Sequence, residues 1–143
     1  MSDTARRILL AILNLGVVGI SAELLLLGHD EDFNQLIPLA LAGATLAMSA
    51  AVGLKPGSAT IRIFQMVMVL LVLSGAVGMY LHFQVNVEFQ LEMDPALKGM
   101  ALLQKAILAK TPPALAPGAM TQLGLIGLAY TYKHPALGPR RTL

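Results

Sequence analysis

The sequence predicts an all-α integral membrane protein with four transmembrane helices and both termini in the cytoplasm. Four long apolar stretches cover about 8–28, 37–54, 61–81 and 115–132. Hydrophobic residues make up 56% of the chain and charged residues only 13%, whereas a soluble domain carries about 25% charged residues. Each stretch is long enough, at ~1.5 Å per helical residue, to cross roughly 30 Å of hydrocarbon. The 143 residues therefore form a single four-helix transmembrane domain, 1–143.

Charged residues alternate between the two predicted sides of the membrane. The basic residues of the termini and of the second connection are Arg6, Arg7, Lys55, Arg62, Lys133, Arg140 and Arg141. The acidic residues of the other two connections are Asp30, Glu31, Asp32, Glu88, Glu92 and Asp94. Three lysines, Lys98, Lys105 and Lys110, fall on the acidic side. Since short loops rich in Lys and Arg stay in the cytoplasm, we expect a multi-pass protein of the plasma membrane, specifically a bacterial inner membrane.

Helix-ending residues separate the four spans. The first stops at Gly28, and Pro38 is expected in the first turn of the second, where its missing N–H costs nothing. The short turn 55–58 predicts that spans two and three are antiparallel neighbours. Lipid tails are as apolar as the helices, so there is no hydrophobic driving force for helix association and close packing must supply it. Small residues should allow the spans to pack closely. These residues are Gly16, Gly19, Gly43, Ala47, Ala51, Ser74, Gly78, Gly124 and Gly127.

The outer segment, about 82–113, begins with strict alternation of polar and apolar residues. The polar set is His82, Gln84, Asn86, Glu88, Gln90, Glu92 and Asp94. The apolar set is Phe83, Val85, Val87, Phe89, Leu91 and Met93. A period of two predicts an extended, strand-like segment whose apolar face docks a partner. The alternatives are a solvated loop, or a continuation of span three in which the alternation arises by chance.

A short amphipathic helix is predicted next, because Asp94-Pro95 resembles an N-cap followed by proline at the first helical position. Its apolar face would carry Ala96, Met100, Leu103 and Ile107, with Lys98 and Lys105 opposite. We expect this helix to lie in the outer membrane interface.

Glu23 is the most informative single residue, because it lies about five residues, or ~8 Å, inside the outer end of span one. A carboxylate at this depth needs a partner, a proton or water. Thr121 and Gln122 lie at the same depth in span four, and Tyr80 of span three lies nearer the surface. Asn14 is a further polar residue within span one. We expect an intramembrane polar site, which serves either as a proton or cation relay or as an interhelical clamp.

Gly16, Gly19 and Glu23 share one helix face. A single carboxylate in the first span of a four-span protein resembles the small multidrug resistance exporters. That resemblance implies coupling of proton movement to the export of cationic drugs. This chain differs from those proteins in having no tryptophan and a long outer segment.

Histidine and acidic residues near the outer ends of the spans form a candidate site for a metal or a tetrapyrrole. The candidates are His29, Asp30, Asp32, His82 and Glu88. Oxygen and imidazole ligands suit divalent cations, and imidazole also serves as an axial ligand. The spacing does not select one of these, so the cofactor is unknown.

The sequence has no cysteine, which excludes disulfides and thiolate metal sites. No phosphate-binding loop or nucleophile–base pair is visible, and we expect no enzymatic activity. Because an isolated strand leaves its backbone unpaired, we expect an accessory or scaffold subunit of a larger membrane complex. Its partners would be membrane lipids and other membrane-protein subunits or further copies of itself, with no nucleic acid. A small proton- or cation-coupled transporter centred on Glu23 is the alternative.

Overall fold

The protein is described by a computed structural model that covers residues 1–29, 31–109 and 114–138. Its helices are α1 (Asp3–Leu26), α2 (Phe33–Leu54), α3 (Ser58–Met93), α4 (Gly99–Ile107) and α5 (Leu115–Thr131). A short 3-10 turn, Pro135–Leu137, follows α5. The described ranges contain these helices and their connections, with no β-strand among them.

Three helices, α1, α2 and α3, are long and apolar enough to cross a membrane. Large apolar side chains cover the outside of these helices, and Leu15 and Leu26 are 77% and 89% exposed. A protein surface of this kind matches hydrocarbon rather than water. The chain is therefore a helical membrane protein. Helix α5, with 17 residues, is the shortest of the four apolar helices.

Glycine ends α1 as its sequence predicts. Gly28 has a φ of +65°, the left-handed conformation that glycine adopts without steric cost. The amide of Gly28 donates to Leu25 O at 3.1 Å, and that of His29 donates to Leu24 O at 2.9 Å. These two bonds satisfy carbonyls that the end of the helix leaves unpaired.

Helix α2 begins earlier than predicted, at Phe33, so Pro38 lies inside the helix rather than in its first turn. The Gln35 side chain accepts hydrogen bonds from the amides of Glu31 (3.1 Å) and Asp32 (3.2 Å). This side chain satisfies donors ahead of the helix that would otherwise lack partners, which favours the earlier start.

Helices α1, α2, α3 and α5 form an antiparallel bundle in which α3 also packs against α4 and the 3-10 turn. At one end of the bundle, Arg6 bonds to the carbonyls of Tyr132 and Lys133. At the opposite end, the rings of His29 and His82 lie 6.2 Å apart. The start of α1, the end of α5 and the turn between α2 and α3 thus lie at one end of the bundle.

Glycines bring α3 and α5 into close contact. A Cβ at Gly75 would collide with Thr121 Oγ1 and Pro117 O, and would lie 2.8 Å from the amide nitrogen of Thr121. A Cβ at Gly124 would lie 2.8 Å from Met68 O. Backbone of one helix therefore touches backbone of the other, the packing that small residues permit in membranes. Gly75 was not among the predicted contact residues, whereas Gly19 and Gly43, which were, have open space around them.

The prediction of an extended segment after residue 81 was wrong, because α3 continues unbroken to Met93, about 54 Å from its start. Helical geometry explains the alternation equally well. Residues four apart lie on the same side of a helix, while residues two apart lie nearly opposite. The six apolar residues predicted to form one face therefore form two stripes. One comprises Phe83, Val87 and Leu91, and the other comprises Val85, Phe89 and Met93.

Candidate functional site

The continuation of α3 and the helix α4 form a helical hairpin, residues 82–107, which we call the outer hairpin. Asn86 is buried between its two helices and donates from Nδ2 to the carbonyl of Ala106 at 3.1 Å. Ala106 itself is fully buried. A buried amide bonded to a backbone carbonyl is costly to separate, so it fixes α4 against α3.

The outer hairpin exposes much of its apolar surface. On α3 one apolar stripe is half-buried on the side of Asn86, while the other faces outward, with Phe89 56% exposed. The predicted amphipathic helix is present as α4, but most of its predicted apolar face points away from α3. Its exposed apolar residues are Met100, Leu103 and Ile107. Contiguous exposed apolar surface of this kind marks interaction sites.

Charges on the outer hairpin are separated by helix. Glu88, Glu92 and Asp94 lie on or just after α3, whereas Lys98 and Lys105 belong to α4 and its start. Within the ranges that the structure describes, the one ion pair is Arg6–Asp3 at 3.9 Å. The charged groups of the hairpin therefore form no ion pair within the described chain, although the Asp94 carboxylate accepts a hydrogen bond from the Ala96 amide at 3.2 Å.

The predicted polar layer around Glu23 does not assemble within the described residues. Glu23 and Gln122 are exposed on the outside of the bundle. Thr121 Oγ1 donates instead towards Pro117 O (3.3 Å) and Val72 O (3.4 Å). Tyr80 is also exposed, and its hydroxyl accepts from Gln84 Nε2 at 2.7 Å. No hydrogen bond found for the described part of the chain joins any two of Glu23, Thr121, Gln122 and Tyr80.

A further polar contact between α3 and α5 lies nearer the other end of the bundle. Gln65 Nε2 donates to Thr131 Oγ1 at 3.0 Å, joining α3 to α5. Asn14, predicted as part of the polar site, lies half-buried on α1. Its Oδ1 is buried without a hydrogen-bond partner in the described chain, as is the hydroxyl oxygen of Ser49.

His29 and His82, two candidates for a metal or tetrapyrrole site, lie side by side, with ring centroids 6.2 Å apart and planes inclined by 23°. Asp30 lies outside the described residues. Among the described residues, no group of three or more His, Asp or Glu side chains has a geometry that could hold a metal ion. Asp32 and Glu88 are exposed.

An apolar cavity of about 590 Å³ is lined by these two histidines and lies between the first half of α2 and the second half of α3. Its volume falls in the range of small-molecule sites, roughly 300–1,000 Å³. Neither the charge pattern nor the hydrophobic periodicity of the sequence indicates this cavity, because its walls come from two helices and depend on how those helices are arranged.

Arg6 carries a structural role that the sequence analysis missed. Although it was predicted to be one of several exposed cytoplasmic charges, its side chain is only 6% exposed. Its guanidinium donates to Met1 O at 2.8 Å, Lys133 O at 2.9 Å and Tyr132 O at 3.2 Å. A cation at the C-terminal end of α5 satisfies unpaired carbonyls and opposes the helix dipole. It therefore ties the start of α1 to the end of α5.

His134 lies in the same polar cluster, buried beside the ring of Tyr130 at 5.5 Å. Its Nδ1 accepts a hydrogen bond from the amide of Ala136 at 3.2 Å, which requires an unprotonated nitrogen. Burial and, to a smaller degree, the charge of Arg6 lower the pKa of His134, while Asp3 acts in the opposite direction. The folded chain thus favours the neutral imidazole.

We expect the thermal midpoint of the purified protein in detergent to fall as the pH is lowered below about 6.5, the ordinary histidine pKa. Because the folded-state pKa of His134 is lowered, the unfolded chain binds more protons in this range. The contribution of neutral His134 to the stability is fully present above about pH 6.5 and is lost as the pH falls towards its folded-state pKa. The His134→Gln variant should show a flatter profile from pH 8 to pH 5. An unchanged slope in that variant would assign the loss to other groups.

Comparisons with protein-family models, with curated proteins and with solved structures found no match for this chain. The geometry described above is therefore the basis for assigning a function.

Proposed function

We propose that this chain is a non-enzymatic accessory subunit of a larger membrane complex, and that the outer hairpin docks onto a partner subunit. The observation that carries the proposal is the outward-facing stripe of Val85, Phe89 and Met93 on a helix too long for the bilayer. This observation corrects the docking element predicted from the sequence, because a helix face takes the place of a strand.

The length of α3 supports a position of this stripe outside the hydrocarbon. A helix of 36 residues is about 54 Å long, whereas the hydrocarbon core is roughly 30 Å thick. If the core begins near Ile61, it ends near Leu81, and the acidic residues Glu88 and Glu92 follow. Apolar side chains beyond that level meet water unless another protein surface covers them.

The membrane arrangement belongs to the same proposal. Helix α5 would be the fourth span, antiparallel to α3, and both termini would lie in the cytoplasm with the turn at Lys55. The excess of basic residues at that end of the bundle supports this orientation. The plasma membrane of a bacterium is the location we propose.

The unpaired charges of the hairpin support a protein partner of matching polarity. Acidic groups lie along α3 and lysines along α4, on either side of the apolar surface. An apolar centre with a charged rim is the usual composition of a protein–protein interface. Such a rim selects the partner and the orientation more than it adds affinity.

Transport centred on Glu23 and cofactor ligation by His29 and His82 stay predictions. Glu23 is exposed on the outside of the bundle rather than enclosed among the described helices. The geometry therefore favours the accessory role over transport.

Site-specific photo-crosslinking in native membranes tests the docking role. A photoreactive phenylalanine analogue at Phe89, which is exposed, should yield one adduct of defined mass with a different polypeptide. The same analogue at Phe83 is the matched control, because Phe83 is half-buried on the side of Asn86. It should react within the chain and leave the mass of the polypeptide unchanged.

Two outcomes would contradict the proposal. Adducts of Phe89 with lipid alone would place the stripe in the membrane interface. An adduct of twice the mass of this chain would identify a second copy as the occupant, in place of a partner subunit.

A further inference from the structure

The cavity between α2 and α3 has walls suited to a hydrocarbon chain. Along α3 it extends from Leu70 to Val85, a distance of about 22 Å by helical rise. Its apolar lining consists of Ile37, Pro38, Leu41, Leu70, Leu73, Val77, Leu81 and Val85. An elongated apolar channel of this length excludes a compact polar ligand and fits a molecule with a long tail.

Polar groups of the cavity are concentrated at one end. His29, Asn34, Gln35 and His82 line the part nearest the α1–α2 connection, whereas Ser74 is the single polar side chain deeper in the lining. Since the Oε1 atom of Gln35 already accepts two backbone amides, its Nε2 group remains as a donor. The cavity therefore offers hydrogen-bond donors at its mouth and hydrocarbon contact below.

The charge around the mouth indicates an uncharged head group. No lysine or arginine is among the described residues that line the cavity. The backbone amides of Glu31 and Asp32, whose side chains are exposed, donate to the Gln35 side chain at its mouth. A phosphate head would meet like charge there without a cation to pair with it. Anionic phospholipids are accordingly disfavoured.

The two imidazoles indicate a flat head group. Their ring centroids are 6.2 Å apart and their planes are inclined by 23°, so the two rings form a stacked aromatic pair in the lining at this end of the cavity. Aromatic rings attract one another in offset or edge-to-face arrangements at centroid distances of 4.5–7 Å. Imidazole and amide N–H groups would meanwhile donate to carbonyl oxygens on such a ring.

We propose that this cavity binds a lipid quinone, an uncharged amphiphile with a planar, carbonyl-bearing ring and one long hydrocarbon tail. The ring lies at His29 and His82, and the tail lies along Leu73 and Val77. The site shares His82 and Val85 with the outer hairpin, whereas Phe89 and Met93 of the docking stripe lie outside its lining.

Photoaffinity labelling of the full-length protein in nanodiscs of zwitterionic lipid tests this assignment. The probe is a benzoquinone with a ten-carbon tail and an azido group on the ring. We expect saturable labelling of peptides within 29–41 and 70–85, which an unlabelled decylbenzoquinone displaces. A hundredfold excess of monodecanoylglycerol, which is uncharged but lacks the planar ring, should leave the labelling unchanged.

Matched variants locate the site. Val77→Trp fills the cavity at a side chain that is 56% exposed, so the core of the bundle is untouched, and it should reduce labelling at least tenfold. Leu15→Trp makes a comparable change at an exposed residue of α1 outside the cavity, and should have no effect. The double variant His29→Leu/His82→Leu should reduce labelling several-fold, because it removes the donors and retains the apolar volume.

Three results would overturn the proposal. Labelling that does not saturate, or that persists in Val77→Trp, would show that the cavity is not the site. Equal displacement by monodecanoylglycerol would show that the channel accepts any uncharged lipid tail. Labelling that is unchanged in the histidine double variant would remove the basis for recognition of the ring.

Discussion

Replacing Arg6 with alanine will lower the free energy of unfolding by about 2–4 kcal/mol, since a hydrogen bond to a charged group contributes about 1.5–3 kcal/mol. The guanidinium donates hydrogen bonds to the carbonyls of Tyr132 and Lys133. In the alanine variant both carbonyls lose this donor. The start of α1 and the end of α5 should then separate more readily.

Arg7→Ala is the matched control, because Arg7 carries the same charge one residue further along α1 and is exposed. Its effect should stay within about 0.5 kcal/mol, as for most surface substitutions. Unfolding of both variants in detergent, followed by the loss of helical circular dichroism, gives the comparison. Arg6→Lys should lie between the two, because an ammonium group keeps the charge and loses the planar fork. Equal stabilities of Arg6→Ala and Arg7→Ala would show that the contact with α5 contributes nothing.

Gly75→Ala will destabilise the bundle by about 1–3 kcal/mol, the usual range for overpacking a close contact. The added methyl group would collide with Thr121 Oγ1 and the carbonyl of Pro117, and the second of these is backbone, which cannot rotate away. Helices α3 and α5 must therefore move apart. Loss of the close approach also removes the polar contact between Thr121 and Val72 O.

Gly43→Ala provides the control, because Gly43 lies within α2 with open space around the position of a Cβ. Alanine is favoured over glycine in a helix by about 1 kcal/mol, so this variant should be as stable as the original chain or slightly more stable. Thermal midpoints in one detergent measure both changes. Gly124→Ala, which meets Met68 O and Val72 on α3, should resemble Gly75→Ala. If all three variants unfold alike, the α3–α5 contact is looser than described.

Sequence patterns predicted the bundle well where one physical rule dominates. The apolar stretch 115–132 corresponds to Leu115–Thr131, and Gly28 ends α1 through the left-handed conformation that glycine favours. Hydrocarbon thickness and backbone sterics determine these features, and both act on short stretches of sequence. The start of α2 was missed because a side-chain cap from Gln35 extends the helix beyond its apolar core.

The outer segment was predicted incorrectly because one pattern suits two structures. Apolar residues at every second position lie on one face of a strand, but the same residues form two opposite stripes on a helix. Residues 82–93 follow an established helix, so each added residue gains a hydrogen bond without a new nucleation step. Gln, Glu, Leu and Met in this stretch are also good helix formers.

Features of the candidate sites depend on contacts between distant residues, which no local pattern encodes. Arg6 and Lys133 are separated by 127 positions in the chain, and nothing near Arg6 distinguishes it from Arg7. The partnership of Glu23 with Thr121 and Gln122 was inferred from depth alone. Depth does not fix the rotation of a helix about its axis, and here that rotation directs Glu23 outward.

An unbroken α3 has a mechanical consequence. Phe89 and Ile61 belong to one stiff rod and lie about 42 Å apart by helical rise. Near the N-terminal end of α3, Gln65 contacts Thr131 of α5, and α3 also packs against the 3-10 turn that follows α5. A sideways force applied at Phe89 would therefore be transmitted along α3 as a tilt, without passing through a flexible joint.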